Sequence, residues 1–146
     1  MSITVPTELR VESGRSNRIL AAWLGSGAAA AHALLTDLMT ERGEGGLADF
    51  LLLTGHLACQ MEVEVSDIWT PEDPAPGTGE VVLATAEAFA MYVCGARYDL
   101  ARAVLAPLFH HPHWGMAFTV TMVRSIIDHR PGELRTYLAE QGIEIM

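Results

Sequence analysis

Apolar side chains recur every three to four positions over the first third of the chain. Residues at this spacing share one face of a helix, so the pattern predicts a helix over residues 16–42. Ser16 is a typical N-cap for it. The stretch GSGAAAA in its middle predicts either a kink or a smooth face for close packing, and RGEGG predicts its end. The apolar positions are Ile19, Leu20, Trp23, Leu24, Leu34, Leu35, Leu38 and Met39.

Two further helices are predicted on either side of a loop. Residues 46–65 are largely apolar and carry Asp49 near their start, where a carboxylate suits the positive end of a helix. Residues 70–79, TPEDPAPGTG, hold three prolines and two glycines, which predicts a loop. A plain connector is favoured over a functional loop here. A long helix then extends from residue 79 or 80 to 109, with a break expected at Gly95.

Prolines delimit the last two predicted helices. Pro112 suits the first position of a helix over residues 112–129. Pro131 ends that helix, because the residue before a proline disfavours the α conformation. PGELRTYLAEQG predicts a final amphipathic helix with Gly142 at its C-terminal cap. The chain therefore has five or six predicted helices and little strand.

The distribution of charge indicates which helices are central. From Val81 to Ala96 the only formal charge is Glu87, and Arg124 is the first formal charge of the 112–129 helix. A helix that is apolar nearly all round is typical of the buried centre of a bundle. We therefore expect an all-α fold, an irregular bundle of five to six helices with two largely apolar central helices.

Length and composition fit a single all-α domain over residues 1–146, with an extended segment at 1–13 and the 70–79 loop. Half of the residues are apolar, which favours a surface covered by another subunit or partner. The net charge is −9, and the nine basic residues are scattered arginines, which is typical of a GC-rich bacterial genome. DNA binding requires a basic face, so we expect no DNA partner.

Cys59 and Cys94 both lie in apolar stretches, which predicts two free, buried thiols. Two cysteines in a chain of this length do not form a disulfide framework, so they favour a reducing cytoplasm. Residues 1–15 lack the pattern of a secretion signal. The uncharged runs at 19–36 and 103–123 are interrupted by glycine, proline or histidine, so we expect no membrane span.

Three of the six histidines stand together in the stretch LFHHPHWG. They are His110, His111 and His113, and Trp114 follows them. Zinc requires four ligands, or three and a water, and no cysteine pair or HExxH motif completes such a set. A helix junction explains the residues better, because Pro112 suits a first helical position. We therefore expect no metal and no cofactor, and we treat His110, His113 and Trp114 as candidate binding residues.

The segment RSIIDH, from Arg124 to His129, resembles the Rx4H element of HEPN ribonucleases, which are all-α bundles that usually act as dimers. In that family the arginine and histidine meet across a dimer cleft and cleave RNA without a metal. The resemblance covers six residues and a fold class. It implies that His129 moves protons and that Arg124 stabilises the charge of a phosphorane. Ser125 departs from the family, in which a polar amide, an acid or a histidine is more frequent.

Single residues in apolar helices leave alternatives open. Glu87 and Arg124 predict a buried pair, a subunit interface or exposure to solvent, because an unpaired buried charge is costly. A pocket near Glu87, Tyr92 and Trp114 would make the protein a small-molecule binder. His32 and His56 are expected to be satisfied core or surface histidines. Core filling is expected of Met39, Met61, Met91, Met116 and Met122.

The leading functional hypothesis is a small cytoplasmic protein-interaction module, an adaptor or assembly subunit that is a homodimer or binds another protein. The acidic charge, the apolar surplus and the lack of a catalytic set favour it over an enzyme. The interface is expected on the first or fourth helix, with Trp23 and Trp114 at its surface. The alternatives are metal-independent RNA cleavage by Arg124 and His129, under which alone RNA is a partner, and small-molecule binding.

Overall fold

Six helices make up most of the part of the chain that the structure describes. The computed structural model covers residues 3–10, 13–63, 78–110 and 112–145, with the backbone alone at 78–83, 112 and 113. A 3₁₀ turn at Thr7–Leu9 precedes the helices, and no strand occurs in the residues covered. The all-α class is confirmed. The helices are α1 (Ser13–Ser26), α2 (Ala28–Gln60), α3 (Thr78–Cys94), α4 (Tyr98–Phe109), α5 (Pro112–His129) and α6 (Pro131–Glu140).

Glycines change the first predicted helix. The predicted 16–42 helix is divided at Gly27, whose φ is 100°, so the kink that was one of the two alternatives for GSGAAAA is confirmed as a break between α1 and α2. Ser16 is not a cap but a buried residue inside α1. RGEGG does not end the helix either, since α2 continues past it with a kink at Gly43. The φ of 66° and ψ of −149° at this residue are accessible essentially to glycine alone.

The later boundaries follow the prolines and Gly95. The break at Gly95 is confirmed, because it separates α3 from α4. Pro112 and Pro131 begin α5 and α6, as predicted. The predicted 70–79 loop lies outside the described residues as far as residue 77, and α3 already begins at Thr78. The predicted end of the second helix near residue 65 is wrong, because α2 ends at Gln60 and Glu62 has a left-handed φ of 58°.

The second half of α2 is the centre of the bundle. Every residue from 50 to 58 is buried, and α1, α3, α4 and α5 all pack against this helix. Gly55 permits the close approach of α3, because a Cβ atom there would lie 2.7 Å from the ring of Phe89. Phe89 in turn meets the ring of Phe118 from α5 edge to face, with centroids 5.9 Å apart. Both α3 and α5 thus pack one side against the core and have the other side facing outward.

A disulfide joins the ends of α2 and α3. The Cα atoms of Cys59 and Cys94 are 5.7 Å apart, and Cys94 is exposed. The prediction of two free, buried thiols is wrong, because packing brings together residues whose apolar neighbours say nothing of their partner. Gly55 lies beside Phe89, and Cys59 lies beside Cys94, so the two helices are parallel.

Polar side chains fasten the first and last elements to the core. The buried His56 donates from Nε2 to the Thr4 carbonyl at 2.9 Å, as expected for a satisfied histidine, and His32 is exposed. The Tyr137 hydroxyl of α6 donates to Oδ1 of Asn17 in α1 at 2.9 Å, and both residues are buried. Burial raises the pKa of Tyr137, because it disfavours the phenolate.

Candidate functional site

Over residues 84–91, where the side chains of α3 are described, its outward side is apolar apart from one carboxylate. Ala84, Glu87, Ala88 and Met91 recur at helical spacing, and each is at least partly exposed. Met91 is 61% exposed, so the prediction that it fills the core is wrong. Glu87 forms no ion pair or side-chain hydrogen bond with any residue that the structure describes.

The outward side of α5 carries the opposite charge, Arg124, among apolar and small side chains, and the exposed Asp128 lies one turn after it. Its exposed and half-buried residues include Ala117, Val120, Thr121, Arg124 and Ile127. Arg124 is exposed and, like Glu87, has no side-chain partner in the described part of the chain. Of the three alternatives for these two charges, the isolated chain therefore shows exposure and not a buried pair.

The two tryptophans that were predicted to lie on a binding surface differ in their exposure. Trp23 is only 7% exposed and belongs to the core, so its expected place on a binding surface is wrong. Its side of α1 is used to pack the helix against the bundle. Trp114 is half-buried at the start of α5 and packs against the core. A part of its side chain therefore remains at the surface.

The histidine-rich stretch forms a boundary between helices. His110 is exposed at the C-terminal cap of α4, and α5 begins at Pro112. His111 and the side chain of His113 lie outside the described residues. Among the side chains that are described, no three of histidine, cysteine, aspartate or glutamate gather as a metal ion would require. The observed boundary agrees with the junction interpretation.

Arg124 and His129 lie on one helix but not on one face. Five positions turn an α-helix by about 140° beyond a full turn, so the side chains leave α5 in different directions. Both are exposed, and Nδ1 of His129 donates to the Ser125 carbonyl at 2.9 Å. That bond leaves Nε2 for proton transfer. RNA cleavage by this pair stays a prediction, and a shared cleft would require a second copy.

One cleft formed by the described residues lies away from the predicted pocket. Glu87 and Tyr92 are again five positions apart on α3 and diverge by about 140°. The cleft has a volume of about 410 Å³ and lies between the N-terminal turn, α2 and the start of α4. It is lined by Glu8, Leu52, Ala96, Tyr98, Asp99 and Arg102. The predicted residues Glu87, Tyr92 and Trp114 do not line it.

An ion-pair cluster holds one wall of this cleft. The carboxylate of Asp49 accepts from Arg102 of α4 and from Arg42, the latter at 3.1 Å. The Asp49 side chain is only 11% exposed, and charge-assisted hydrogen bonds of this kind are stronger than neutral ones. Arg42 precedes the kink at Gly43 and Asp49 follows it, so their pair also spans the kink.

Tyr98 and Ala96 shape the other wall. Burial raises the pKa of the Tyr98 phenol, and the carboxylate of Glu8 raises it further, because both disfavour the phenolate. Ala96 has a φ of 59°, which is the left-handed region that favours glycine. This residue turns the chain from α3 into α4 and places Tyr98 and Asp99 beside the N-terminal turn.

Sequence reasoning missed the cleft because its residues are far apart in the chain. Glu8 lies about ninety positions before Asp99, and no local pattern connects the two. The pairing of Asp49 with Arg102 is equally non-local. The only nearby feature that the sequence predicted is the break at Gly95. It indicates a turn at the edge of the cleft but does not indicate a binding site.

None of the helices in the residues described has the length and apolarity needed to cross a membrane. Comparison of the chain with protein-family models, with curated proteins and with solved structures finds no match.

Proposed function

We propose that this chain is a helical protein-interaction module, an adaptor or assembly subunit, that associates with copies of itself. The observation that carries the proposal is the pair of outward faces on α3 and α5. Apolar and small side chains surround Glu87 on α3 and Arg124 on α5, and the two charges are opposite, with the exposed Asp128 one turn after Arg124.

These faces complement each other between two copies. Burying their apolar side chains removes surface from water at about 25 cal/mol per Å². A helix of 17 or 18 residues is about 26 Å long, so two such faces offer an extended contact. Glu87 of one copy would meet Arg124 of the next, which fixes the register and satisfies both charges. A two-fold dimer would contain this contact twice.

The proposal and the ribonuclease alternative make opposite demands on Arg124. In the interface its guanidinium is neutralised by a carboxylate, whereas RNA cleavage requires it to face a phosphate. His129 is outside the proposed contact, because it leaves α5 in another direction. Replacing Arg124 therefore weakens association under one hypothesis, and replacing His129 abolishes cleavage under the other.

Charge reversal tests the interface. We expect purified protein to sediment as a dimer or a larger closed oligomer. Glu87→Arg or Arg124→Glu alone places like charges opposite each other and is expected to raise the dissociation constant about tenfold or more. The double variant restores the pairing and the association. Sedimentation velocity over a dilution series measures all four proteins.

The matched control reverses exposed charges elsewhere, with Asp37→Arg and Arg135→Glu, and is expected to leave association unchanged. A wild-type protein that stays monomeric at its highest soluble concentration would refute the proposal. So would a double variant that associates no better than the single ones. Loss of RNA cleavage in His129→Ala would instead establish the ribonuclease alternative.

A further inference from the structure

The cleft beside Tyr98 contains two charges that nothing in the described part of the chain neutralises. Glu8 on the N-terminal turn and Asp99 in the first turn of α4 are exposed, and neither forms an ion pair there. The helix end favours a negative charge at Asp99 without neutralising it. Arg102, the cation of the cleft, shares the Asp49 carboxylate with Arg42, so these three residues together carry one positive charge. Glu8 and Asp99 outweigh it, and the net charge at the cleft is negative.

The two carboxylates face the same space. The carboxylate of Glu8 is close enough to the Tyr98 phenol to raise its pKa, and Asp99 follows Tyr98 directly in the chain. Leu52, which is 2% exposed, contributes a small apolar part of the lining. The cleft thus combines an aromatic ring and an apolar wall with carboxylates, and the face of a tyrosine ring attracts cations.

We infer that this cleft binds a small organic cation, a linear amine of the polyamine class. Ammonium groups would be held by Glu8 and Asp99, and the methylene chain would lie against Leu52 and Tyr98. The site is separate from the proposed contact between α3 and α5, so the two proposals stand or fall independently.

Size and ligand number favour an organic cation over a metal ion. A volume of about 410 Å³ is within the range of small-molecule sites and far larger than one ion requires. Two carboxylates without a third ligand do not make a site for calcium, which takes six to eight oxygen atoms. A simple anion would have to displace Asp49 from Arg102 and then face both carboxylates.

Titration of the full chain with spermidine tests the inference. In two-dimensional amide NMR spectra, we expect saturable shifts confined to residues around Glu8, Ala96 and Asp99. Glu8→Gln and Asp99→Asn are each expected to weaken spermidine binding about three- to fivefold, as partly exposed ion pairs do. The double variant loses saturable binding. Both side chains are exposed, so these variants keep the fold.

The controls separate this site from general attraction to a chain with a net charge of −9. Glu44→Gln and Glu144→Gln remove exposed carboxylates elsewhere and are expected to leave spermidine binding unchanged. Equal weakening by these controls, or shifts spread over the whole surface, would overturn the inference. Binding of magnesium chloride or sodium acetate at the same residues, with no saturable spermidine binding, would also overturn it.

Discussion

Ala96 occupies a backbone conformation for which the same chain elsewhere uses glycine. It follows the C-terminal cap of α3 with a φ of 59°, and Gly142 follows the cap of α6 with a φ of 76°. In both caps the next residue donates its N–H to a carbonyl five positions earlier, from Arg97 to Tyr92 and from Ile143 to Leu138. The two ends have the hydrogen bonds of a Schellman cap, and only the first carries a side chain at the left-handed position.

Replacing Ala96 with glycine is therefore expected to stabilise the fold. Relief of the left-handed alanine is worth about 1–2 kcal/mol, and the greater entropy of an unfolded glycine offsets about half of it. We expect a gain of about 0.5–1 kcal/mol in the free energy of unfolding, measured by urea denaturation. Gly142→Ala makes the reverse change and is the matched control, with an expected loss of about 1 kcal/mol. A loss of stability in Ala96→Gly would contradict the assignment of strain.

The buried hydroxyl of Tyr137 gives a second prediction at this scale. Tyr137→Phe leaves Oδ1 of Asn17 buried without a donor, which is expected to cost about 1–3 kcal/mol. Removing both partners in Asn17→Leu with Tyr137→Phe is expected to cost less than the sum of the two single changes. An additive double variant in thermal unfolding would show that the hydrogen bond contributes nothing.

The pKa of Tyr137 also sets a direction for the dependence on pH. Its folded pKa is raised above the ordinary value of 10.0, so the folded state favours the neutral phenol. This contribution to stability is complete below the unfolded pKa and is lost as the pH rises through the folded pKa. We expect wild-type stability to fall more steeply above pH 10 than that of Tyr137→Phe.

At the scale of elements, the disulfide fixes two parallel helices to each other. Both helices end in the same kind of cap, with Glu62 after α2 and Ala96 after α3 in the left-handed region. The bond between Cys59 and Cys94 closes a segment with a sequence separation of 35 residues.

Reduction is expected to destabilise this pair of helices. Closing a segment of that length restricts the unfolded chain and contributes about 3–4 kcal/mol to the free energy of unfolding. Urea denaturation with and without a phosphine reductant measures the difference, and Cys59→Ser with Cys94→Ser is expected to match the reduced protein. Two free thiols per chain in protein purified without reductant would contradict the bond.

At the scale of the whole molecule, the hydrophobic periodicity predicted the all-α fold class and most of the helix boundaries in the second half of the chain. Prolines and Gly95 act on the backbone locally, so the starts of α5 and α6 and the break before α4 could be predicted from the sequence. The exposure of Glu87 and Arg124 could not be predicted, because the sequence of an apolar helix does not indicate which of its sides packs against a neighbour. The cleft and the disulfide depend on residues far apart, and single-chain periodicity carries no information about them.

The predicted cytoplasmic location depends on the cysteines as well. Disulfides persist in oxidising compartments and are rare in the cytosol, so the bond between Cys59 and Cys94 weighs against the argument that first favoured the cytoplasm. The location stays a prediction, and the thiol state of protein trapped with alkylating reagent in the source cells would test it.

The same bond changes what a break in the backbone means for this molecule. Residues 59 to 94 form a covalent ring, with residues 1–58 and 95–146 attached to it as two tails. A protease that cuts one peptide bond between residues 63 and 78 opens the ring but separates nothing. The two fragments remain covalently joined, and only a reductant releases them. In an oxidising setting a nick in this connection therefore leaves both fragments in one molecule.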